Sequence, residues 1–203
     1  MSEFPVTLAI DTAAPRLQLA VLRADGATDV SVDDIATGHA EILFERLAAL
    51  LARNGLTHAD VNRIAVTTGP GSFTGLRIGL SAARGLGLAR KLPVLGLPSL
   101  FSLSLGVASG PVTVLLDARR GEAYFQVFSA PGVAETAPML LPIEEARSRL
   151  VPGATLIESP FVDLAAMVRF AGKADPLLYP PHAAYIRDAD AKPQDAAKVP
   201  RRV

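Results

Sequence analysis

The chain of 203 residues predicts a mixed α/β fold built as two related lobes. Three observations lead there. Three strand-like segments open the chain with no helix between them. Helix and strand patterns then alternate up to residue 108. A second strand ending in Asp, followed by a turn and a further strand, begins at residue 111 and repeats the opening in shortened form. Antiparallel strands followed by helix–strand crossovers make a mixed sheet covered by helices.

Taken in order, Val6 to Asp11 reads as a buried strand ending in a carboxylate, and Leu17 to Ala24 as its hairpin partner. Asp25-Gly26 is a turn signal before a third strand, Ala27 to Val32. Gly38 to Asn54 is predicted helical, with Leu43, Phe44, Leu47, Leu50 and Leu51 in one apolar stripe, Thr37 as N-cap and Asn54-Gly55 as the stop. Arg63 to Thr68 is a β-branched strand, followed by a glycine loop and a helix from Phe73 to Lys91. Leu92 to Gly96 is a short strand, and Pro98 to Ala108 a third helix. Pro111 to Asp117 and Glu122 to Phe128 form a hairpin across the turn Ala118-Arg-Arg-Gly121. A helix at Ile143–Leu150, a strand at Ala154–Glu158 and a helix at Phe161–Gly172 follow. From residue 173 onward, Pro, Ala and charge predict an extended strap and a mobile tail. The organisation is therefore an N-terminal lobe over 1–108, a reduced C-terminal lobe over 109–186, and a tail over 187–203.

Composition narrows the function classes. Half the residues are hydrophobic, enough for a substantial core. Twenty basic and twenty acidic residues cancel, which gives no broad electrostatic capture of nucleic acid or membrane. Without Cys there is no disulfide and no thiolate metal site, and the three His (His39, His58, His182) have no paired-ligand spacing. No metal is expected. The N-terminus shows no leader pattern and no apolar run reaches about 18 residues, so a cytoplasmic address with no membrane contact is expected. The basic residues Arg187, Lys192, Lys198, Arg201 and Arg202 suit a solvated tail or an RNA contact.

The segment Gly69-Pro-Gly-Ser-Phe-Thr-Gly75 joins a strand to a helix. Such a junction suits a tight turn without ligand as well as it suits an anion held on backbone N–H groups. It is neither a P-loop, since Leu76-Arg77 follow the last Gly, nor a dinucleotide fingerprint, since Thr74 stands where that pattern needs Gly. Farther along the same helix, Gly75, Gly79, Ala83 and Gly87 recur every four residues in one row. Interior glycine costs about 0.5–1 kcal/mol against Ala, so a close contact should offset it. The row either packs against the chain's own sheet or admits a neighbouring helix from a partner.

Five segments occur in order: Ile10-Asp-Thr-Ala13, Gly38-His-Ala-Glu-Ile-Leu43, Gly69-Pro-Gly-Ser-Phe-Thr-Gly-Leu-Arg-Ile-Gly79, Leu116-Asp-Ala-Arg-Arg-Gly-Glu122 and Tyr185-Ile-Arg187. Together they resemble the TsaB (YeaZ) family of tRNA threonylcarbamoyladenosine synthesis, over nearly the whole chain. The resemblance implies an actin/Hsp70/sugar-kinase-like (ASKHA) fold. It also implies a non-catalytic partner of TsaD, the paralogue that modifies adenosine 37 of tRNAs reading ANN codons. A TsaE-type ATPase joins that complex, tRNA is met only through it, and a homodimer forms when TsaD is absent. Dimer contacts in the family use the two N-lobe helices. The contact surface expected here is therefore His39, Leu43, Leu47, Gly75, Arg77, Gly79, Ala83, Arg84 and Gly87, with Arg77 and Arg84 as its polar border.

TsaD-type chains carry a His-x-Glu-x-His metal motif where this chain reads Leu95-Gly-Leu-Pro-Ser-Leu-Phe-Ser102, without His or carboxylate. No catalytic residue and no cofactor is therefore assigned. His39 reads as a capping or packing residue. The competing enzyme reading is a stand-alone nucleotide-binding phosphotransferase or hydrolase, for which Asp11, Thr12, Gly69, Gly71, Ser72 and Asp117 are the candidate nucleotide or phosphate contacts. A peptidase lacks its parts: there is no Cys, no Gly-x-Ser-x-Gly and no His-Glu-x-x-His.

Overall fold

A computed structural model describes residues 4–184 and Ile186. Tyr185 and the basic tail at 187–203 lie outside the described residues. The opening strands are β1 (Thr7–Asp11), β2 (Leu17–Leu22) and β3 (Thr28–Asp33). They form the expected antiparallel meander, β1 against β2 and β2 against β3. Two crossovers follow: α1 (His39–Arg53) leads to β4 (Arg63–Thr67), and α2 (Phe73–Arg90) to β5 (Val94–Leu97). Both new strands run parallel to β1, giving the order β3-β2-β1-β4-β5.

Beyond α3 (Ser99–Ser104), the hairpin β6 (Val112–Arg119) and β7 (Glu122–Ala130) starts a second sheet. Its other members are β8 (Val133–Ala134), β9 (Met139–Pro142) and, after α4 (Ile143–Ser148), β10 (Thr155–Ile157). β10 runs parallel to β6 on the side away from β7, as β4 runs beside β1 on the side away from β2. The predicted repeat is visible in this shared core. α5 (Leu164–Lys173) and a 3-10 turn (Pro176–Leu178) follow.

The layers follow from which strand positions carry bulk. Leu8, Ile10, Leu17, Leu19, Val21, Ile64 and Val66 point to the face covered by α1 and α2. Ala9, Ala20 and Ala65 point to the opposite face, where α5 lies close. Gly172 of α5 permits that approach, since a Cβ there would overlap the Leu22 side chain. The same core takes in Leu100 and Leu103 of α3, Val112, Val114 and Leu116 of β6, and Met167 and Val168 of α5. It therefore draws on both sides of the 108/109 boundary. The outer face of the second sheet packs Phe125 and Val127 against Ala146 of α4.

Several boundaries differ from expectation for local reasons. Gly38, not Thr37, precedes α1, and its φ of 84° is one that Thr avoids. α3 stops at Ser104, short of residue 108: the Ser102 and Ser104 hydroxyls donate to the Pro98 and Phe101 carbonyls at 3.0 and 2.7 Å. Such bonds compete with helix continuation. β8 and β9, absent from the sequence reading, both pair with the free edge of β7. The strap after the 3-10 turn lies along the free edge of β5 in the first sheet. Gly96 N–H donates to Tyr179 O at 2.8 Å, and Ala184 N–H to Thr68 O at 2.8 Å.

Candidate functional site

The glycine loop serves close packing between two segments of the chain. Ser72 N–H donates to Ala13 O at 2.7 Å, which draws the loop onto the turn after β1. A Cβ on Gly71 would stand 2.6 Å from that carbonyl oxygen, and one on Gly75 would overlap the Thr12 carbonyl. Thr12 Oγ1 donates to Gly75 O at 2.7 Å, locking turn to helix. The start of α2 is capped by Ser72, whose Oγ accepts from Gly75 N–H at 3.2 Å.

Asp11 is sealed beneath this turn. Its carboxylate accepts from Thr67 Oγ1 at 2.7 Å, Ala13 N–H at 3.0 Å and Gln18 Nε2 at 3.3 Å. Burial pushes its pKa up from the ordinary 3.8, against the opposing pull of those three donors and nearby His39. Asp117 lies elsewhere. It is exposed and accepts from Arg119 N–H at 2.7 Å across a tight turn in which Arg119 and Arg120 both take positive φ.

Of the six candidate phosphate contacts, Gly71, Ser72 and Asp117 line one cleft of about 560 Å³ between the two sheets. Ser99, whose buried Oγ has no hydrogen-bond partner, shares it. Asp11, Thr12 and Gly69 are buried off that lining. Among the described residues, no group of three or more His, Asp or Glu is placed to hold a metal ion.

The row of small residues faces inward. Gly75 and Gly79 press on Thr12, Gly87 presses on Val94 of β5, and Ala83 is fully buried. Leu43, Leu47 and His39 are buried as well, with His39 Nε2 left unpartnered. Of the nine residues expected at the contact surface, only Arg77 and Arg84 are exposed. Arg84 donates to the Pro181 carbonyl of the strap.

The outer face of the same two helices carries other residues. Phe44, next to the Leu43 stripe but turned away from it, is 54 % exposed, and Phe73 is 53 % exposed. They flank a groove of about 540 Å³ between α1 and α2, with Ala40, Thr74, Arg77 and Ser81 in its lining. The Arg77 guanidinium stacks on the Phe73 ring at 3.8 Å. Small residues are exposed here too: Ala48, Ala49 and Ala52 on α1, Ser81 and Gly85 on α2. A Cβ on Gly85 would meet nothing within 4 Å. The sequence signal that marks this face is an interior helix glycine outside the inward row of four.

A family model described as TsaD, tRNA N6-adenosine threonylcarbamoyltransferase, matches residues 33–153. An uncharacterized protein of Mycobacterium tuberculosis is 34 % identical, the match covering 94 % of this chain and 96 % of that protein. The tRNA threonylcarbamoyladenosine biosynthesis protein TsaB of Escherichia coli is 35 % identical over 58 % of this chain, and the match spans about half of that relative, 52 %. Among solved structures, an uncharacterized Pseudomonas aeruginosa protein with similarity to peptidase YeaZ superposes with a TM-score of 0.74 at 24 % identity. That superposition covers 90 % of this chain and all of the other, and it establishes a shared fold.

Proposed function

The chain belongs to the TsaD-like family, within its TsaB/YeaZ branch, and we propose that it is the non-catalytic docking subunit of a tRNA threonylcarbamoyladenosine-forming complex. Its partner is a TsaD-type chain that carries out the transfer at adenosine 37. A TsaE-type ATPase joins them in the cytoplasm, tRNA is engaged only through the assembly, and two copies pair when the partner is absent. The observation that carries this reading is the exposed outer face of α1 and α2. Two half-exposed phenylalanines flank an open groove there, beside exposed alanines and an interior glycine. Solvent-exposed aromatic anchors around small residues that permit close helix approach are features of a protein contact.

The site residues are revised accordingly. The docking face is Phe44, Phe73, Arg77, Ser81 and Gly85, not the inward row. Gly79→Leu would therefore test folding, since even a Cβ there stands 2.5 Å from Thr12 Oγ1. Gly85→Leu is the discriminating change, because it fills open space on the outer face. We expect it to keep or raise the melting temperature of the free chain while abolishing co-elution with a TsaD-type partner on a sizing column. Unchanged co-elution would remove this face from the contact.

One observation favours the second reading, an independent nucleotide hydrolase or phosphotransferase: the cleft holding Gly71, Ser72, Asp117 and the unpartnered Ser99 hydroxyl. ATP turnover by the purified chain, lost on Asp117→Asn, would support it. Asp11→Asn would not discriminate, since Asp11 is wholly buried.

A further inference from the structure

The cleft between the two sheets holds charges of both signs that do not neutralise each other. Asp117 and Arg119 both line it, on either side of the buried Ala118 of β6. Residues two apart on a strand share a face. The Asp117 carboxylate accepts from the Arg119 backbone N–H at 2.7 Å, not from its guanidinium. Among the described residues, neither side chain forms an ion pair with the other or with a third group. Glu158, the remaining charge of the lining, is already paired with Arg147 at 3.0 Å. Ser99 stands in the same lining, 4 % exposed, and its Oγ has no hydrogen-bond partner. A buried hydroxyl left so is costly unless a ligand meets it.

The walls are held from both lobes. Gln18 Nε2 donates to Val162 O at 3.2 Å, and the Arg16 guanidinium stacks on the Phe161 ring at 4.0 Å, so the loop carrying Pro160 and Val162 is tied to β2 and the turn before it. Ala13, Pro15, Pro160 and Val162 give the cleft an apolar side. A phosphate finds little to hold it. Ser72 N–H is already given to Ala13 O and Gly75 N–H to Ser72 Oγ, and a polyanion would meet Asp117 as well as Arg119.

We propose that this cleft binds a zwitterion of dipeptide size. Asp117 holds its ammonium, the planar fork of Arg119 holds its carboxylate, and an apolar side chain lies against Pro15 and Val162. Ser99 Oγ supplies a hydrogen bond to the amide between the two ends. The cleft, at about 560 Å³, falls among cavities that enclose ligands larger than a single amino acid. This site does not depend on the docking reading, and it gives the cleft a different ligand from the nucleotide of the second reading.

The test is calorimetric titration of the full chain with the dipeptide Ala-Leu, its N-acetyl form, its C-terminal amide, free leucine and ATP. Wild type, Arg119→Gln and Asp117→Asn are compared, with melting curves of each free chain as the folding control. Ala-Leu should bind wild type saturably, and blocking either end should weaken binding about tenfold or more, since one charge-assisted contact is lost. Arg119→Gln should bind Ala-Leu and its amide alike, whereas Asp117→Asn should bind Ala-Leu and its N-acetyl form alike. Such a selective loss of discrimination assigns each end of the ligand to one residue, which a purely structural role would not do. End preferences unchanged in both variants would overturn this cleft as the site. Leucine binding as tightly as Ala-Leu would overturn the dipeptide size. Saturable binding of ATP with none of Ala-Leu would overturn the zwitterion and favour the nucleotide, and binding of neither would overturn the proposal outright.

Discussion

Gly71, Gly75, Gly79 and Gly87 are set by what would collide with a side chain. Gly75 is the sharpest case, since a methyl there would run into the Thr12 carbonyl that borders the turn after β1. Gly75→Ala should therefore destabilise the chain by about 1–3 kcal/mol despite alanine's better helix propensity, read as a lower urea midpoint. Gly85→Ala, in open space, should instead stabilise it by about 0.5–1 kcal/mol. Asp11 gives a residue-scale effect of pH. Its pKa is raised in the folded chain, so the native state holds its proton more tightly than the unfolded state. Stability from this group is present below the ordinary value of 3.8 and is lost as pH rises through the raised value. Asp11→Asn, which cannot ionise, should accordingly gain on wild type as pH rises from 4 toward neutrality, seen in paired melting curves. A difference that stays flat with pH would mean that the three donors offset burial.

At the scale of elements, two different patterns were informative. β1 and β2 fall within a residue or two of their predicted spans because they are short, mostly apolar runs buried on both faces and bounded by turn residues, and α1 and α2 because their apolar positions repeat at the helix period. β8 and β9 were illegible because two to four residues pairing with a neighbour's free edge carry no period of their own. The direction of the Gly75–Gly87 row was illegible for a different reason. Spacing of four places residues on one side of a helix, but only the strands that pack there decide whether that side faces in. Phe44 shows the same limit, one residue from the buried stripe yet turned outward. The seating of α5 was equally hidden, since it depends on Arg63 from a distant strand. Its guanidinium donates to the Ala171 and Ala174 carbonyls at 2.9 and 2.8 Å, at the C-terminal end of that helix. Arg63→Ala should cost about 1.5–3 kcal/mol, the range for hydrogen bonds to a charged group. Amide exchange should quicken first at the end of α5.

For the whole molecule, the sandwich of α1 and α2, first sheet, α3 and α5, second sheet, and α4 makes the two sheets interdependent. The core between them joins Ala9 and Ala20 of the first sheet, Val112 and Phe128 of the second, and Met167 and Ala171 of α5. Residues 1–108 supply a complete five-stranded sheet, yet the face carrying Ala9, Ala20 and Ala65 is covered by a helix that begins at Leu164. A fragment ending at 108 would leave that face in water, a contiguous apolar surface of the kind that drives aggregation. We expect the full chain to unfold in one calorimetric transition, with equal calorimetric and van't Hoff enthalpies. The fragment 1–108 should be insoluble or should bind a hydrophobic dye strongly. The same design bears on docking. The outer face of α1 and α2 is separated from the inter-sheet core by the whole first sheet, so neither Gly85→Leu nor Arg77→Gln should lower the single transition. A folded, monomeric fragment 1–108 with its own sharp transition would show that the first sheet and its two helices stand as an independent module, and that α5 is an accessory to it.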